Sequence, residues 1–501
     1  MNRIYILSLL VVLSLAGCKD DDPKIGEAPS VSLNTSQAQD IPGAVVSVTV
    51  TIDAPNGGET LQVDGASNPD VTLDGSTRQE VNVDITIPND AVTESVITVV
   101  FIAVDDEALT STPVEFVITV DAPLITGDPV EAEDPNTEYE PAFEGQTRIG
   151  SVTTETAWTK SIITSSLSSP WGVVSLPDGR LLITQKGGTM RIVTLAGVVS
   201  APITGIPAVN TAGQGGLLGL CLDPEFATNR MVYWVFSQAV SGGNITAVAK
   251  GKLSNDETII ENADVIYQST SAHSSTLHYG GRILFDETGN LIVSTGERSV
   301  LETRPLAQSV SSSLGKTVRI TKSGDPAPGN PTFSGAGALP ELYTIGHRNP
   351  QGLALHPVTG DVWLGEHGPQ GGDELNRLEP GKNYGWPVIT YGEEYSGATI
   401  GAGIQQQTGM EQPVYYWDPV VAPSGMIFYT GDRVPEWENN LFMTSLSQTH
   451  IVRLVIQNNK VVGEERLLAS EGQRFRDITQ GPDDALYAVT DGGRLYRIDR
   501  E

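Results

Sequence analysis

The sequence predicts an all-β protein: a small immunoglobulin-like β-sandwich followed by a six-bladed β-propeller. Three observations lead to this prediction: alternating apolar segments fill the first quarter of the chain, an acidic Pro-rich stretch follows, and one strand–turn–strand pattern then recurs. At 501 residues the chain is also too long to fold around a single hydrophobic core of ordinary size, so more than one domain is expected. We therefore expect four parts: 1–18 (lipoprotein signal peptide and lipobox), 30–122 (sandwich), 123–150 (linker) and 151–501 (propeller).

The N-terminus has the pattern of a bacterial secretion signal. Arg3 supplies a positive charge, an apolar run extends from Ile4 to Leu15, and small residues lead to Cys18. This run is too short to span a membrane. The sequence "LAGC" resembles a lipobox, in which the cysteine becomes the lipidated first residue, and a plain signal peptide is the alternative. We expect a lipid anchor at Cys18 in the bacterial cell envelope, on the periplasmic side of the outer membrane or at the cell surface.

Residues 30–122 have the pattern of a β-sandwich. Segments such as "AVVSVTVTID" and "VEFVITVDAP" alternate apolar residues with polar residues or threonine, and Asn-Gly, Asp-Gly and Pro-Asn turns separate them. This part contains no histidine and no cysteine, so we interpret it as a spacer or adhesion module. Residues 123–150 are acidic, Pro-rich and poor in apolar side chains, which predicts a linker.

From about Ser151 a second pattern begins and occurs six times. Each unit has a glycine-started apolar strand, a Pro/Asp/Gly turn and a second apolar strand, as in "YGGRILFDETGNLIVSTGE" and "PQGLALHPVTGDVWLGEHG". The units start roughly 45 to 75 residues apart, which suits four-stranded propeller blades with insertions. A six-bladed propeller brings residues just before its inner strands to one site, although they lie far apart in sequence.

Composition and motifs exclude several functions. The chain has 61 acidic and 30 basic residues, a formal net charge of -31 and a pI near 4.4, so nucleic acid is not an expected partner. No G-x-S-x-G elbow, Walker loop or G-x-G-x-x-G after a strand occurs. Cys221 lies in the apolar segment "LLGLCLDP", where an inert core thiol is expected. With Cys18 acylated, Cys221 has no disulfide partner.

Polar residues next to the inner strands are the candidates for chemistry. His278 in "LHYGGRILF" immediately precedes an inner strand and should point at the axis as a base, with a structural histidine as the alternative. Arg474 and Arg476 lie two apart on a strand, so they share a face, and an acid such as Asp477 or an anionic ligand should lie between them. Arg348 adds a cation from a neighbouring blade, and convergent arginines suit a ligand with several carboxylates.

A metal site is also indicated, though not by an EF-hand pattern. In "EHGPQGGDELN" the Gly368–Pro369 turn can aim backbone carbonyls at a hard cation. Asp373 or Glu374 could supply carboxylates to the same ion or to another one.

Several of these segments together resemble a known family. "HYGGR", "GHRNPQGLA", "EHGPQGGDELN", "GKNYGWP", "VVAPSGM" and "RFRD" occur in the order seen in soluble aldose sugar dehydrogenases that use pyrroloquinoline quinone, the glucose/sorbosone dehydrogenase family. The resemblance extends roughly from Trp158 to Asp499 and does not include the sandwich. It implies a small-molecule sugar substrate, pyrroloquinoline quinone and calcium as cofactors, and an external electron acceptor.

The resemblance also implies roles for individual residues. His278 matches the base that takes the proton of the sugar's anomeric hydroxyl, while Gly368 and Pro369 match carbonyl ligands of the calcium that polarises the quinone. Five residues match cofactor-binding positions: Gln214, Arg348, Asn349, Arg474 and Arg476. Four residues lie near positions that hold a second, structural calcium: Glu374, Tyr384, Tyr391 and Glu393.

Two positions depart from the glucose-specific members of that family. Leu277 stands where those members have an aspartate, and Ser447 stands where they have a cofactor-contacting lysine. The expected function is thus oxidation of an aldose to its lactone, with the preferred sugar left open. The alternatives are a non-catalytic propeller that binds glycans or proteins at the cell surface, and a calcium-dependent lactonase, which would need no arginine cluster.

Overall fold

The computed structural model describes residues 26–65, 68–89, 91–125 and 127–501. These residues are almost entirely β, which confirms the all-β prediction. Their one α-helix is the short α1 (Phe226–Asn229), and no helix in this part of the chain is long and apolar enough to cross a membrane. The predicted signal peptide and lipobox, including Cys18, lie outside the described residues. The chain forms two compact units, of which the first ends at Ala122 and the second spans Pro123–Glu501.

The first unit contains two sheets, ordered β1-β3-β6 and β2-β8-β7-β4-β5. Its strands are β1 (Ser30–Leu33), β2 (Gln37–Asp40), β3 (Val45–Asp53), β4 (Gly58–Asp64), β5 (Val71–Thr72), β6 (Arg78–Thr86), β7 (Val96–Asp105) and β8 (Val114–Val120). All neighbouring strands pair antiparallel except β2 and β8, which pair in parallel. Buried side chains along β3 alternate with exposed or half-buried ones, as the sequence pattern requires. Phe101 and Phe116 are fully buried in the resulting core.

The second unit contains six sheets of three or four antiparallel strands. The first three sheets are β10 (Pro170–Ser175), β11 (Leu181–Gln185) and β12 (Thr189–Val193); β13 (Leu217–Leu222), β14 (Met231–Val240), β15 (Gly243–Leu253) and β16 (Ile260–Gln268); and β17 (Ile283–Phe285), β18 (Leu291–Thr295), β19 (Lys316–Ile320) and β20 (Leu342–Ile345). The next two are β21 (Pro350–Leu355), β22 (Val362–Glu366), β23 (Asp373–Leu378) and β24 (Tyr415–Trp417); and β25 (Pro423–Phe428), β26 (Leu441–Ser445), β27 (Ile451–Gln457) and β28 (Lys460–Leu467). The last consists of β29 (Phe475–Gln480), β30 (Leu486–Thr490), β31 (Leu495–Arg500) and, from the start of the unit, β9 (Trp158–Thr164). Short 3₁₀ helices occupy Arg304–Gln308, Pro435–Trp437 and Ala469–Glu471.

Each of the six sheets begins with the first apolar strand of one of the repeat units noted in the sequence. These first strands contact each other in succession, from β10 through β13, β17, β21, β25 and β29, and β29 in turn contacts β10. Large aromatic side chains such as Trp234, Trp363 and Trp437 are fully buried in the cores of this unit. The ends of the first strands therefore lie close to one another, and residues at and beside these ends form the candidate site.

Residues 127–150, which we call the strap, pack against the rest of the second unit. Asp418, which is 5% exposed, accepts four hydrogen bonds from the strap, from the backbone N and Nδ2 of Asn136 and from the backbone N and Oγ1 of Thr137, at 2.8 to 2.9 Å. A guanidinium nitrogen of Arg148 donates to the carbonyl oxygens of Asp418 (2.8 Å) and Glu133 (2.7 Å). The stretch that composition predicts as a linker thus has specific polar contacts.

Further contacts extend along the strap. The buried Gln146 donates from Nε2 to the carbonyl oxygen of Pro413 at 2.9 Å and accepts from the backbone N of Ala142 at 2.7 Å. Glu131 forms an ion pair with Arg466 at 2.9 Å, and both side chains are about nine-tenths buried. Separating a buried ion pair leaves a buried charge without compensation, which is energetically costly. The pair therefore holds the strap in one position.

We predict that Asp418→Ala destabilises the second unit. The substitution leaves four donors of the strap without their charged acceptor, which should lower the free energy of unfolding by about 2 to 4 kcal/mol. Chemical denaturation measures this difference. Asp432→Ala, at an exposed aspartate of the same unit, is the control and should change stability by less than about 0.5 kcal/mol. Equal stability of the two variants would contradict the prediction.

Candidate active site

A cavity of about 410 Å³ lies where the ends of the first strands approach one another. Its walls come mainly from the first strands, the loops that precede them and the loops that follow the second strands, in five of the six sheets. Asp373 and Tyr395 add to the wall from β23 and from the loop that follows β23. The lining residues are Trp171, Lys186, Gln214, Gln351, His367, Gly368, Pro369, Asp373, Tyr395, Val420, Ala422, Leu446, Ser447, Arg474 and Arg476. Polar and charged groups dominate this wall, so the cavity suits a polar ligand.

The structure brings most of the predicted site residues to this cavity or next to it. Gln214, Gly368, Pro369, Arg474 and Arg476 line it. The remaining candidates for catalysis and cofactor binding contact these residues or adjoin them: Oε1 of Gln214 accepts from the backbone N of His278 (2.8 Å), Arg348 donates to the carbonyl oxygen of Gly368 (2.6 Å), and Oδ1 of Asn349 accepts from the backbone N of Gly280 (3.1 Å).

One side of the cavity is basic. Arg474 and Arg476 share one acid, because Nε of each donates to a carboxylate oxygen of Asp491, at 3.0 and 2.8 Å. The expectation of Asp477 as their partner is wrong, since that carboxylate pairs with Arg282 at 2.8 Å. Lys186 lies on the same wall, where burial and then the charge of Arg476 lower the pKa of its ammonium. Three cations against one carboxylate favour an anionic ligand.

His278 forms a buried pair with a residue that the sequence analysis missed. Its Nδ1 lies 2.7 Å from Oε1 of Glu297, and the side chains are 9% and 1% exposed. Burial raises the pKa of Glu297 to about 7. Burial, followed by the charges of Arg348, Arg298 and Arg304, lowers the pKa of His278 well below its usual value. The histidine is therefore neutral near pH 7, and an ionised Glu297 assigns the proton to Nδ1 and the lone pair to Nε2.

The hairpin of β17 and β18 explains this pair. His278 precedes β17 and Glu297 follows β18, so antiparallel pairing places them at the same end of the hairpin. A Cβ atom at Gly296 would lie 2.3 Å from the carbonyl oxygen of His278, so only glycine permits this approach. The sequence did contain a signal for Glu297. This acid comes directly after the second strand of the strand–turn–strand unit that follows His278.

A second buried pair positions Arg348. Nδ1 of His347 lies 2.8 Å from Oε1 of Glu366, and the other oxygen of Glu366 accepts from the backbone N of Arg348 at 2.7 Å. Nε of Arg348 and Nε2 of His367 are buried and have no hydrogen-bond partner among the described residues. Native proteins pair nearly all such atoms. His367 lines the cavity, so its Nε2 is available to a polar ligand there.

The predicted calcium ligands of the cavity lie in the loop after β22. Gly368 and Pro369 line the cavity, and the carbonyl oxygen of Gly368 already accepts from Arg348, which leaves one lone pair for a cation. Asp373 fixes this loop by accepting from the backbone N of Gly368 (2.7 Å) and of Ala422 (2.6 Å). Burial raises the pKa of Asp373 to about 7. Oxygen donors of this type suit a hard divalent cation.

The four residues predicted for a second calcium lie away from the cavity wall. The hydroxyl of Tyr384 bonds to the backbone of Arg377 and Glu379, while Tyr391 stacks on Tyr416 with ring centroids 4.1 Å apart. Glu393 pairs through its backbone with Gln370. Burial and the neighbouring Glu366 raise the pKa of Glu374 well above its usual value. Within the described part of the chain, no group of three or more His, Cys, Asp and Glu side chains is arranged to hold a metal ion.

Comparison with known proteins gives consistent results. Residues 167–497 match the family model described as "Glucose / Sorbosone dehydrogenase". The aldose sugar dehydrogenase YliI of Escherichia coli K12 is 39% identical over 342 residues, which is 67% of this chain and 91% of that protein.

Two solved structures are similar over the same share of the chain. The apo-form of the soluble aldose sugar dehydrogenase of Escherichia coli is 38% identical, with a TM-score of 0.66, and the match covers 69% of this chain and 100% of the other. The pyrroloquinoline-quinone-bound form of an aldose sugar dehydrogenase from Streptomyces coelicolor is 27% identical, with a TM-score of 0.57, and covers 69% and 99%.

Proposed function

This chain belongs to the glucose/sorbosone dehydrogenase family of pyrroloquinoline-quinone-dependent sugar dehydrogenases, and we propose that it oxidises an aldose to its lactone with the quinone and calcium as cofactors. The membership confirms the resemblance found in the motifs and makes the chain an oxidoreductase. The observation that carries the proposed reaction is the neutral His278 held by Glu297 beside a basic cavity.

The residues of the cavity fit an anionic quinone. The cofactor has three carboxylates, and Arg474, Arg476 and Lys186 line one wall. The unpartnered Nε of Arg348 and the amide groups of Gln214 and Asn349 would bind its remaining polar atoms. Carbonyl oxygens of Gly368 and Pro369 would hold calcium. When bound, the quinone would accept the hydride of the sugar, and calcium would make it a better acceptor.

The protein's own part in the reaction is proton transfer. Nε2 of His278 would take the proton of the anomeric hydroxyl, because Nδ1–H is donated to Glu297 and Nε2 keeps its lone pair. Oε1 of Gln214 holds the backbone of His278 in the left-handed conformation (φ 45°) that directs the ring. A module that only binds glycans has no need of this oriented base, which favours the enzyme over that alternative.

The finer fold assignments are part of the proposal. The ring of contacts among the six first strands, and the return of β9 to the sheet of β31, support a six-bladed propeller. Two sheets with one parallel pairing, β2 with β8, support an immunoglobulin-like sandwich in the first unit. A second calcium beside Glu374, Tyr384, Tyr391 and Glu393 remains a prediction, supported by the buried and mutually repelling carboxyls of Glu374 and Glu366.

The location also belongs to the proposal. The lipobox-like sequence ending at Cys18 supports a lipid anchor in the bacterial cell envelope, reached through secretion. Electrons would then leave to an external acceptor. The acidic composition of the chain disfavours binding to nucleic acid, so we propose no nucleic-acid partner.

We predict that Arg476→Ala weakens quinone binding by about 2 to 4 kcal/mol, because it removes a charge-assisted contact from a largely buried guanidinium. Absorbance titration of the apoprotein in calcium measures the affinity, and chelation of calcium should abolish binding in the wild type. Arg78→Ala, at an exposed arginine of the first unit, is the control and should bind like the wild type. An unchanged affinity in Arg476→Ala would place this residue outside the cofactor site.

We predict that His278→Gln lowers turnover at least about a hundredfold while quinone affinity stays nearly intact, since the arginines bind the cofactor and the imidazole acts on the sugar. Rapid mixing of the quinone-loaded protein with glucose and galactose measures quinone reduction. His356→Gln, in the turn between β21 and β22, is the control. A His278→Gln enzyme that keeps pace with the wild type would rule out this base.

We predict that turnover rises with pH through about 7, the pKa of Glu297. Above this pH the ionised carboxylate accepts Nδ1–H, whereas below it the carboxyl takes up a proton and Nε2 of His278 loses its fixed lone pair. Glu297→Gln keeps an acceptor without this ionisation, so its acid limb should move to lower pH at a reduced maximal rate. The test is to measure kcat against pH for the wild type and for Glu297→Gln. Acid limbs at the same pH in both enzymes would exclude Glu297 as the titrating group.

A further inference from the structure

Arg298 is a buried cation beside the pair of His278 and Glu297, and the proposed reaction does not use it directly. It follows Glu297 in the loop after β18, and only 1% of the residue is exposed. Within the described part of the chain no carboxylate forms an ion pair with its guanidinium, and Nε and Nη1 have no hydrogen-bond partner. Burying an unpaired cation is costly. A residue that only fills space could be uncharged, so the charge of Arg298 requires its own explanation.

The guanidinium of Arg298 holds the segment that carries His278. Its Nη2 donates to the carbonyl oxygen of Ser275 and to Oδ1 of Asn244. Its Cζ lies over the ring of Tyr279, 3.7 Å from the ring centroid. The hydroxyl of Tyr279 donates to the same Oδ1 of Asn244 at 2.7 Å. Because Ser275 precedes His278 and Tyr279 follows it, one side chain fixes the segment on both sides of the base.

The backbone of Arg298 ties the same segment to the loop of Glu297. Oγ of Ser275 donates to the carbonyl oxygen of Arg298 at 2.5 Å. Arg298 and Ser299 both have left-handed backbone conformations, with φ of 77° and 59°. Such conformations are unfavourable for residues with a side chain, and they persist where surrounding contacts enforce them. The segment of His278 and the loop of Glu297 are therefore fastened to each other through Arg298.

The charge of Arg298 favours the same protonation states that the pair needs. Burial raises the pKa of Glu297 to about 7. Four groups act against this rise: Arg348, the backbone N–H of Ser299, Arg304 and Arg298. Burial lowers the pKa of His278 well below its usual value, and the same three cations lower it further. His367 is a further titratable group close to His278. A cation at this place thus favours an ionised Glu297 and a neutral His278.

We propose that Arg298 is a positioning residue, which fastens the segment of His278 to the loop of Glu297 and keeps the two side chains in one hydrogen-bonded arrangement. The inference rests on the proposed function, because His278 is the base of the proposed reaction. Arg298 does not line the cavity, so it acts through the pair and not on quinone or sugar. Its loss frees the imidazole and favours protonation of Glu297, while the cofactor site keeps its own arginines.

Kinetics and quinone titration of the full-length enzyme test this role. Arg298→Met removes the charge and the hydrogen bonds, so it should lower kcat at least about tenfold and move the acid limb of the pH profile to higher pH, while quinone affinity changes less than about twofold. Arg298→Lys keeps the charge but cannot make the same contacts, so its acid limb should stay at the wild-type pH although kcat falls at least about fivefold.

Arg500→Met, at an exposed arginine of β31, is the control and should behave like the wild type. An acid limb of Arg298→Met at the wild-type pH would overturn the proposal, and so would a wild-type kcat in Arg298→Lys. If Arg298→Met does not fold, the kcat of Arg298→Lys decides.

Nitrogen NMR of the apoprotein with labelled histidine separates this proposal from the proposed function, because it needs neither quinone nor sugar. The signals of His278 are those missing in His278→Gln. Above the pKa of Glu297 they should show one neutral tautomer in the wild type, with the proton on Nδ1. Arg298→Met should show both tautomers, and Arg500→Met only one.

A single tautomer in Arg298→Met would overturn the positioning role, even in an enzyme that oxidises sugars. The expected spectra in a protein that oxidises no sugar would refute the dehydrogenase and retain the positioning role of Arg298.

Discussion

The antiparallel pairing of the first two strands in each sheet is the constraint on which the site depends. It brings the residue that enters the first strand next to the residue that leaves the second one. Three sheets use this geometry in the same way: His278 meets Glu297, His347 meets Glu366, and Arg474 and Arg476 meet Asp491. In each case the first strand supplies an imidazole or a cation and the second supplies a carboxylate. A repeated hairpin thereby produces a repeated polar pair.

Burial gives these pairs different chemical roles. A pair that is taken out of water keeps its orientation, because separating its members leaves a polar group unsatisfied. His278 and Glu297 are nearly inaccessible, so the ring has one tautomer and one direction. Arg474 is half exposed at the rim and shares Asp491 with the more buried Arg476. Two cations on one carboxylate leave positive charge toward the cavity. The same structural device therefore orients a base in one sheet and attracts an anion in another.

The sequence predicted the strands well, because glycine-started apolar segments and their turns are local signals. It also predicted that Arg474 and Arg476 share a face, which follows from the two-residue period of a strand. It missed Glu297 and Asp491 because a partner at the far end of a hairpin is found only when the register is known. The contacts of residues 127–150 could not be predicted from the sequence either. The acidic, Pro-rich composition of this segment shows only that it lacks apolar side chains. Asn136 and Thr137 are held instead by hydrogen bonds to a single distant aspartate, Asp418.

The return of β9 to the last sheet affects how the protein is made. β9 enters the growing chain before every other strand of the second unit, yet its neighbour is β31, the last strand described. During synthesis β9 therefore remains without its pairing partner until almost the whole chain has been made. Contacts between such distant segments form slowly, because the intervening loop has to close first. The second unit therefore reaches its final arrangement only after synthesis of its last strand. This delay agrees with the secretion proposed above, which requires the chain to cross a membrane channel in an unfolded state.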